Sequence, residues 1–134
     1  YLNSTLSDSI KMATLKQFEY TESSEILATL SEYYVSSKTI GKNNWFAGNV
    51  AKLTGENLFL FLQKWGEYLP LAADSEKKES IVLVEKYARN HPVDWIRYAA
   101  FKALVNLPET KDLRNSIRDA ETSERLKIAY NRME

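Results

Sequence analysis

Apolar residues recur at three- and four-residue intervals along almost the whole chain, while β-branched alternation is scarce, and that period belongs to α-helices rather than strands. Only four glycines and three prolines interrupt it. Leu6, Ile10 and Ala13 open a first stripe that closes near Phe18, and Ile26, Leu27, Leu30, Tyr33 and Tyr34 form a second. A third helix carries Phe46, Val50 and Leu53; Asn43 or Asn44 is its expected cap and Gly55 its expected stop. The fourth, about Glu56 to Leu69, is apolar nearly all round its first half, which suits a helix buried between neighbours. Pro70 ends it. Asp74 is expected to cap a fifth helix running to about Asn90, and Asp94 a sixth, closed by Pro108. Two short helices finish the chain, the last capped by Ser123.

Eight modest helices joined by short polar turns predict an all-α fold in which successive antiparallel hairpins stack, each burying a face on its neighbours. The polar, charge-rich segment after Pro108 suits the capping end of such a stack. The expected domain is a single unit over residues 1–134. The chain opens on Tyr1 rather than Met and ends on a helical pattern, so it reads as the carboxyl-terminal domain of a longer protein.

Within this frame, Asp94, Ile96-Arg97, Ala99-Ala100, Ala103-Leu104 and Leu107 resemble the second helix of a HEAT-type repeat, the likeness covering about Ser75 to Leu107. Ile96, Ala100, Ala103, Leu104 and Leu107 share one helical face, where alanines let two backbones approach. Arg97 stands one position off that stripe, within reach of a neighbouring turn. The resemblance implies an α-α superhelix of about four hairpins. In size, position and irregularity the chain is also similar to the C-terminal helical domain of the aminopeptidase N family, gluzincin zinc metallopeptidases. That likeness implies a non-catalytic accessory domain that packs on its own upstream catalytic domain and shapes access of peptide substrates. The family's His-Glu-x-x-His signature is absent here, so zinc is expected only in the parent catalytic domain, with no cofactor in this fragment. The alternative is a HEAT-like scaffold or adaptor for a separate protein.

Side-chain chemistry points away from catalysis in these residues. Eighteen basic and eighteen acidic residues cancel, which leaves no long-range field to gather nucleic acid. There is no cysteine, hence no thiolate nucleophile or thiolate metal ligand. The longest apolar run, Leu58 to Leu62, is far short of the ~18 residues of a membrane span. His91 is a lone histidine before Pro92 and reads as a turn residue. Ser75-Glu76-Lys77-Lys78 fits Ser-x-x-Lys, but without a Lys-Thr-Gly companion Ser75 reads as part of a helix cap. Asn3-Ser4-Thr5 is formally a glycosylation acceptor, frequent by chance. Glu121 is expected to be solvated beside Arg125. Segment 36–44 is expected to be a solvent-exposed connector. Most aromatics are expected in the core; Trp95 and Tyr98, flanking the stripe, and Arg97 are the candidate surface contacts. Nothing in the composition assigns a compartment.

Overall fold

The computed structural model describes residue 21 and residues 23–133, so the expected first helix and the Asn3-Ser4-Thr5 motif lie outside the described residues. Among these the fold is all-α, with seven helices: α1 (Ser24–Ser37), α2 (Asn43–Asn49), α3 (Gly55–Tyr68), α4 (Asp74–Asn90), α5 (Asp94–Val105), α6 (Lys111–Ala120) and α7 (Glu124–Met133). Short 3₁₀ turns at Val50–Lys52, Leu69–Leu71 and Pro108–Thr110 carry the chain between them. The last two of these contain Pro70 and Pro108, where proline has no amide to continue an α-helix.

The helices lie in two rows. In one, α3 is flanked by α1 and α5, and α5 in turn by α7; in the other, α4 packs on α2 and α6. Side-chain pairs give the direction of the first row. Asn57, early in α3, hydrogen-bonds Ser24 at the start of α1 (3.1 Å), while Tyr68, at the end of α3, bonds the carbonyl of Thr39 just past α1 (2.6 Å). Phe59 meets Trp95 near the starts of α3 and α5, and Gly66 meets Ala103 near their ends. Helices α1, α3 and α5 therefore run parallel.

Why α3 and α5 come so close is written in two small residues. A Cβ on Gly66 would stand 2.5 Å from Ala103 Cα and 2.6 Å from its Cβ. The expected stripe on α5 is buried throughout: Ile96, Ala100, Ala103, Leu104 and Leu107 are all 2% exposed or less. Ala99 and Phe101 are buried too, so α5 is covered on nearly every side, and only Trp95, Lys102 and Asn106 of its neighbourhood face solvent. Phe46 stacks parallel to Trp65 (6.4 Å, 3°) and packs on Tyr68 (4.9 Å), which ties α2 to α3. Burying each such ring contributes roughly 1.5–3 kcal/mol.

Several helix ends differ from expectation. Asn43 caps nothing: it is the first residue of α2, 2% exposed, and its amide bridges two other helices. Asn43 Oδ1 accepts from Trp65 Nε1 and Asn43 Nδ2 donates to Ser80 Oγ, both at 2.9 Å. A buried indole N–H needs an acceptor, and that need outweighs a local cap. Gly55 does not stop the third helix; at φ +59° it opens α3. Asp74 and Asp94 are first-turn residues rather than caps, with Ala73 and Val93 at the N-cap positions, so Ser75 lies inside α4 as well. Their charges still favour the positive end of the helix dipole. Ser123 does cap α7, accepting from the Leu126 amide at 3.3 Å.

Candidate functional site

Two places on the molecule gather polar or exposed aromatic groups, and both involve α5. The first lies where α5 begins. Arg97 makes a two-pronged contact with Glu121, Nε to Oε1 at 3.0 Å and Nη2 to Oε2 at 3.1 Å. Its remaining prong, Nη1, donates to the carbonyl of His91 at 2.9 Å. Glu121 also accepts from the Ser123 amide at 2.9 Å. One guanidinium thus joins the α4–α5 turn to the α6–α7 turn, as its place beside the stripe predicts. The side chains of Arg97 and Glu121 are 14% and 3% exposed.

That burial corrects the reading of Glu121 as solvated charge: its partner is Arg97, and Arg125 instead meets Asp94 at 3.4 Å. Helical spacing alone ranks Arg125 as the nearer cation, whereas the chain turns at Glu121 and aims its carboxylate back at α5. Burial pushes the Glu121 carboxyl up, but hydrogen bonds from Arg97 and from the Ser123 and Thr122 amides outweigh it, and its pKa falls below the usual carboxylate value. The hydrogen bond to Glu121 raises the pKa of Arg97, against the opposing effect of burial. The pair is a structural clamp, with both carboxylate oxygens and all three guanidinium nitrogens engaged.

Beside it, a cleft of about 450 Å³ opens between the carboxyl ends of α4 and α6, lined by Arg89, His91, Arg97, Ile117 and Thr122 among others. His91 is a turn residue: it is extended (φ −66°, ψ 133°) and its Nδ1 accepts from the Val93 amide at 3.1 Å. Arg89 is held by Glu85 (2.7 Å) and Ser116 (3.0 Å). Among the described residues no group of three or more His, Cys, Asp or Glu is arranged to hold a metal ion, and no helix is long and apolar enough to cross a membrane.

The second place is the outer face of the α1–α3–α5–α7 row. Trp95 is 43% exposed and packs its ring on Phe59 of α3 at 5.7 Å, tilted by 58°. Leu60 (40%) and Ile128 (52%) are exposed on α3 and α7. Tyr98, half-buried, lies on the α7 side of α5. Of the three candidate contacts, Trp95 is at the surface, Tyr98 is at its margin, and Arg97 is drawn into the clamp.

The other aromatics divide as expected. Trp45, Phe46, Phe61, Trp65, Tyr68 and Phe101 are buried, and in the Tyr33-Tyr34 pair Tyr34 is buried while Tyr33 is half-exposed. Segment 36–44 is more structured than a plain connector. Lys38 adopts a left-handed conformation (φ 53°) that closes α1, and Tyr68 Oη both accepts from the Lys42 amide (2.9 Å) and donates to the Thr39 carbonyl. Ile40, at 76% exposure, projects from its tip. Sequence reasoning missed Leu60 and Ile128 as surface groups, while Phe59 is half-buried against the core as expected. For Leu60 the one available sign was that an all-round apolar helix has more apolar positions than two neighbours can cover. Comparison with family models, with curated proteins and with solved structures finds no match to this chain.

Proposed function

We propose that this chain is a non-catalytic accessory domain that docks through the outer face of the α1–α3–α5–α7 row onto a neighbouring protein module. Its specific form is the helical end of a zinc aminopeptidase, packed on the catalytic domain and shaping substrate access, with the helices winding as a superhelix of about four hairpins. Trp95 carries the docking part of this reading. A large aromatic held half-exposed on a packed helix, braced by Phe59 and near Leu60, is the kind of group that dominates binding energy at protein interfaces. The buried Arg97–Glu121 clamp supports it from beneath, since it fixes the start of α5, where Trp95 stands. The aminopeptidase part rests on the family resemblance, in which zinc belongs to the catalytic module and to no residue of this chain.

The test is the reading frame around these residues together with the intact protein. An upstream His-Glu-x-x-His with a downstream Glu is the expected outcome; a long series of further helical hairpins there moves the function to an adaptor holding a separate protein. In the intact protein, Trp95→Ala should loosen the docked domain, seen as faster limited proteolysis beside it with helical circular dichroism unchanged. An unchanged cleavage pattern would remove the docking role from this face.

A further inference from the structure

The outer face that bears Trp95 is polarised in charge. Its exposed charges on α1 and α3 are Glu25, Glu32, Glu56 and Glu67, relieved only by the half-buried Lys64, which lies 3.5 Å from Glu67. On α5 and α7 the exposed charges are Lys102, Arg125 and Arg132 against Glu124, with Asp94 half-buried beneath Arg125. At the junction of the acidic and the basic sides lie Leu60 and Phe59 of α3 and Trp95 of α5, and Ile128 is exposed on α7. Because neighbouring helices in the row are packed in sequence, this order crosses the helix axes: acid over α1 and α3, apolar groups where α3 meets α5, base over α5 and α7. Four helices about 9 Å apart span roughly 27 Å, which an extended segment rising about 3.3 Å per residue crosses in about eight residues.

Resting on the reading of this face as a docking surface, we infer that its occupant is an extended segment of another protein module, with aliphatic or aromatic anchors at its centre, basic residues at the end over α1 and α3, and acidic residues at the end over α5 and α7. Apolar anchors supply the affinity, since they bury against Trp95 and Leu60, while the charge order sets direction and excludes segments of uniform charge. A segment of reversed charge order crosses the row in the opposite chain direction, so it is the separation of charges rather than their sequence order that is selected.

The probe is a displayed library of random twelve-residue peptides, selected on the folded chain, with the affinities of synthetic winners measured by fluorescence anisotropy. Winners should carry central apolar anchors with base at one end and acid at the other, and their binding should weaken as salt rises. Trp95→Ala should weaken them about tenfold or more, with the helical spectrum unchanged. The double variant Lys102→Glu, Arg132→Glu should select peptides that are basic at both ends. Winners that need Trp95 but show no charge separation would overturn the charge inference and leave the docking face standing. No Trp95-dependent binding at all would overturn both. A dimer seen by sedimentation, and lost in Trp95→Ala, would assign the face to a second copy of this chain and so overturn the proposed occupant.

Discussion

Glu121 shows how a single side chain couples distant turns to solution pH. Its carboxyl titrates below the usual carboxylate value in the folded chain, so below neutrality the unfolded chain binds more protons at this position than the folded one. Stability from this group is therefore complete above the unfolded-state value and is lost as pH falls through the folded value. Glu121→Gln should lower stability at neutral pH and flatten the acid limb of a plot of unfolding free energy against pH. Glu121→Ala, which leaves the half-buried Arg97 without its carboxylate, should cost about 1.5–3 kcal/mol by chemical denaturation. Tyr130 makes the opposite case. Its ring stacks on Phe101 at 3.7 Å, within 6° of parallel, and its buried hydroxyl has no hydrogen-bond partner among the described residues. Burial, with a further push from Glu121, raises its pKa far above that of a free tyrosine. A group whose folded pKa is raised contributes stability that is present below the ordinary tyrosine value and fades as pH rises through the folded one. Tyr130→Phe keeps the stack and removes a desolvated hydroxyl, so it should be neutral or stabilising by about 1 kcal/mol at neutral pH. It should also remove a late-titrating phenol from the alkaline absorbance titration.

Among the elements, α5 was the most legible in the sequence, because alanines at helical spacing state both a buried face and a close neighbour. What the pattern could not name was the neighbour. Gly66 supplies it, and a glycine inside the expected fourth helix carries no mark of what it touches until α3 and α5 are packed. Gly66→Ala ordinarily gains about 1 kcal/mol in a helix interior, but here the new methyl meets the Ala103 backbone, and overpacking of about 1–3 kcal/mol should outweigh the gain. Denaturant midpoints of the two proteins decide the sign. Helix ends were less legible than helix faces. Asp74 and Asp94 were read one position too early in their helices because the dipole favours an acid at the cap and in the first turn alike. Asn43 was misread for another reason: its competitors for hydrogen bonding, Trp65 and Ser80, are 22 and 37 residues away in sequence. The candidate surface was half legible. Trp95 and Tyr98 follow from their positions flanking the α5 stripe, whereas Phe59 becomes part of the same surface only through the parallel register of α3 and α5.

On the scale of the whole molecule, two rows in which each helix leans on its flanking neighbours make stability a local property, largest where a helix is covered on both sides. Helix α3 lies between α1 and α5, with α2 packed on it through the aromatic cluster, and α5 is enclosed by α3, α4, α6 and α7. Helix α7 ends the row and rests mainly on α5 and α6, through Leu126, Tyr130 and the Arg97–Glu121 clamp at its entrance. Backbone amides that open only on global unfolding should therefore concentrate in α3 and α5, and those of α7 should exchange through a smaller, local opening. Native-state hydrogen exchange measures this directly. In Glu121→Gln the amides of α6 and α7 should lose protection by a larger factor than those of α3, because the clamp that ties their turn to α5 has been weakened. In Trp95→Ala any loss of protection should stay within the first turns of α3 and α5, where the ring packs on Phe59. Uniform loss across all seven helices in Glu121→Gln would mean that the rows unfold as one unit and that the clamp is a global contact rather than a local one.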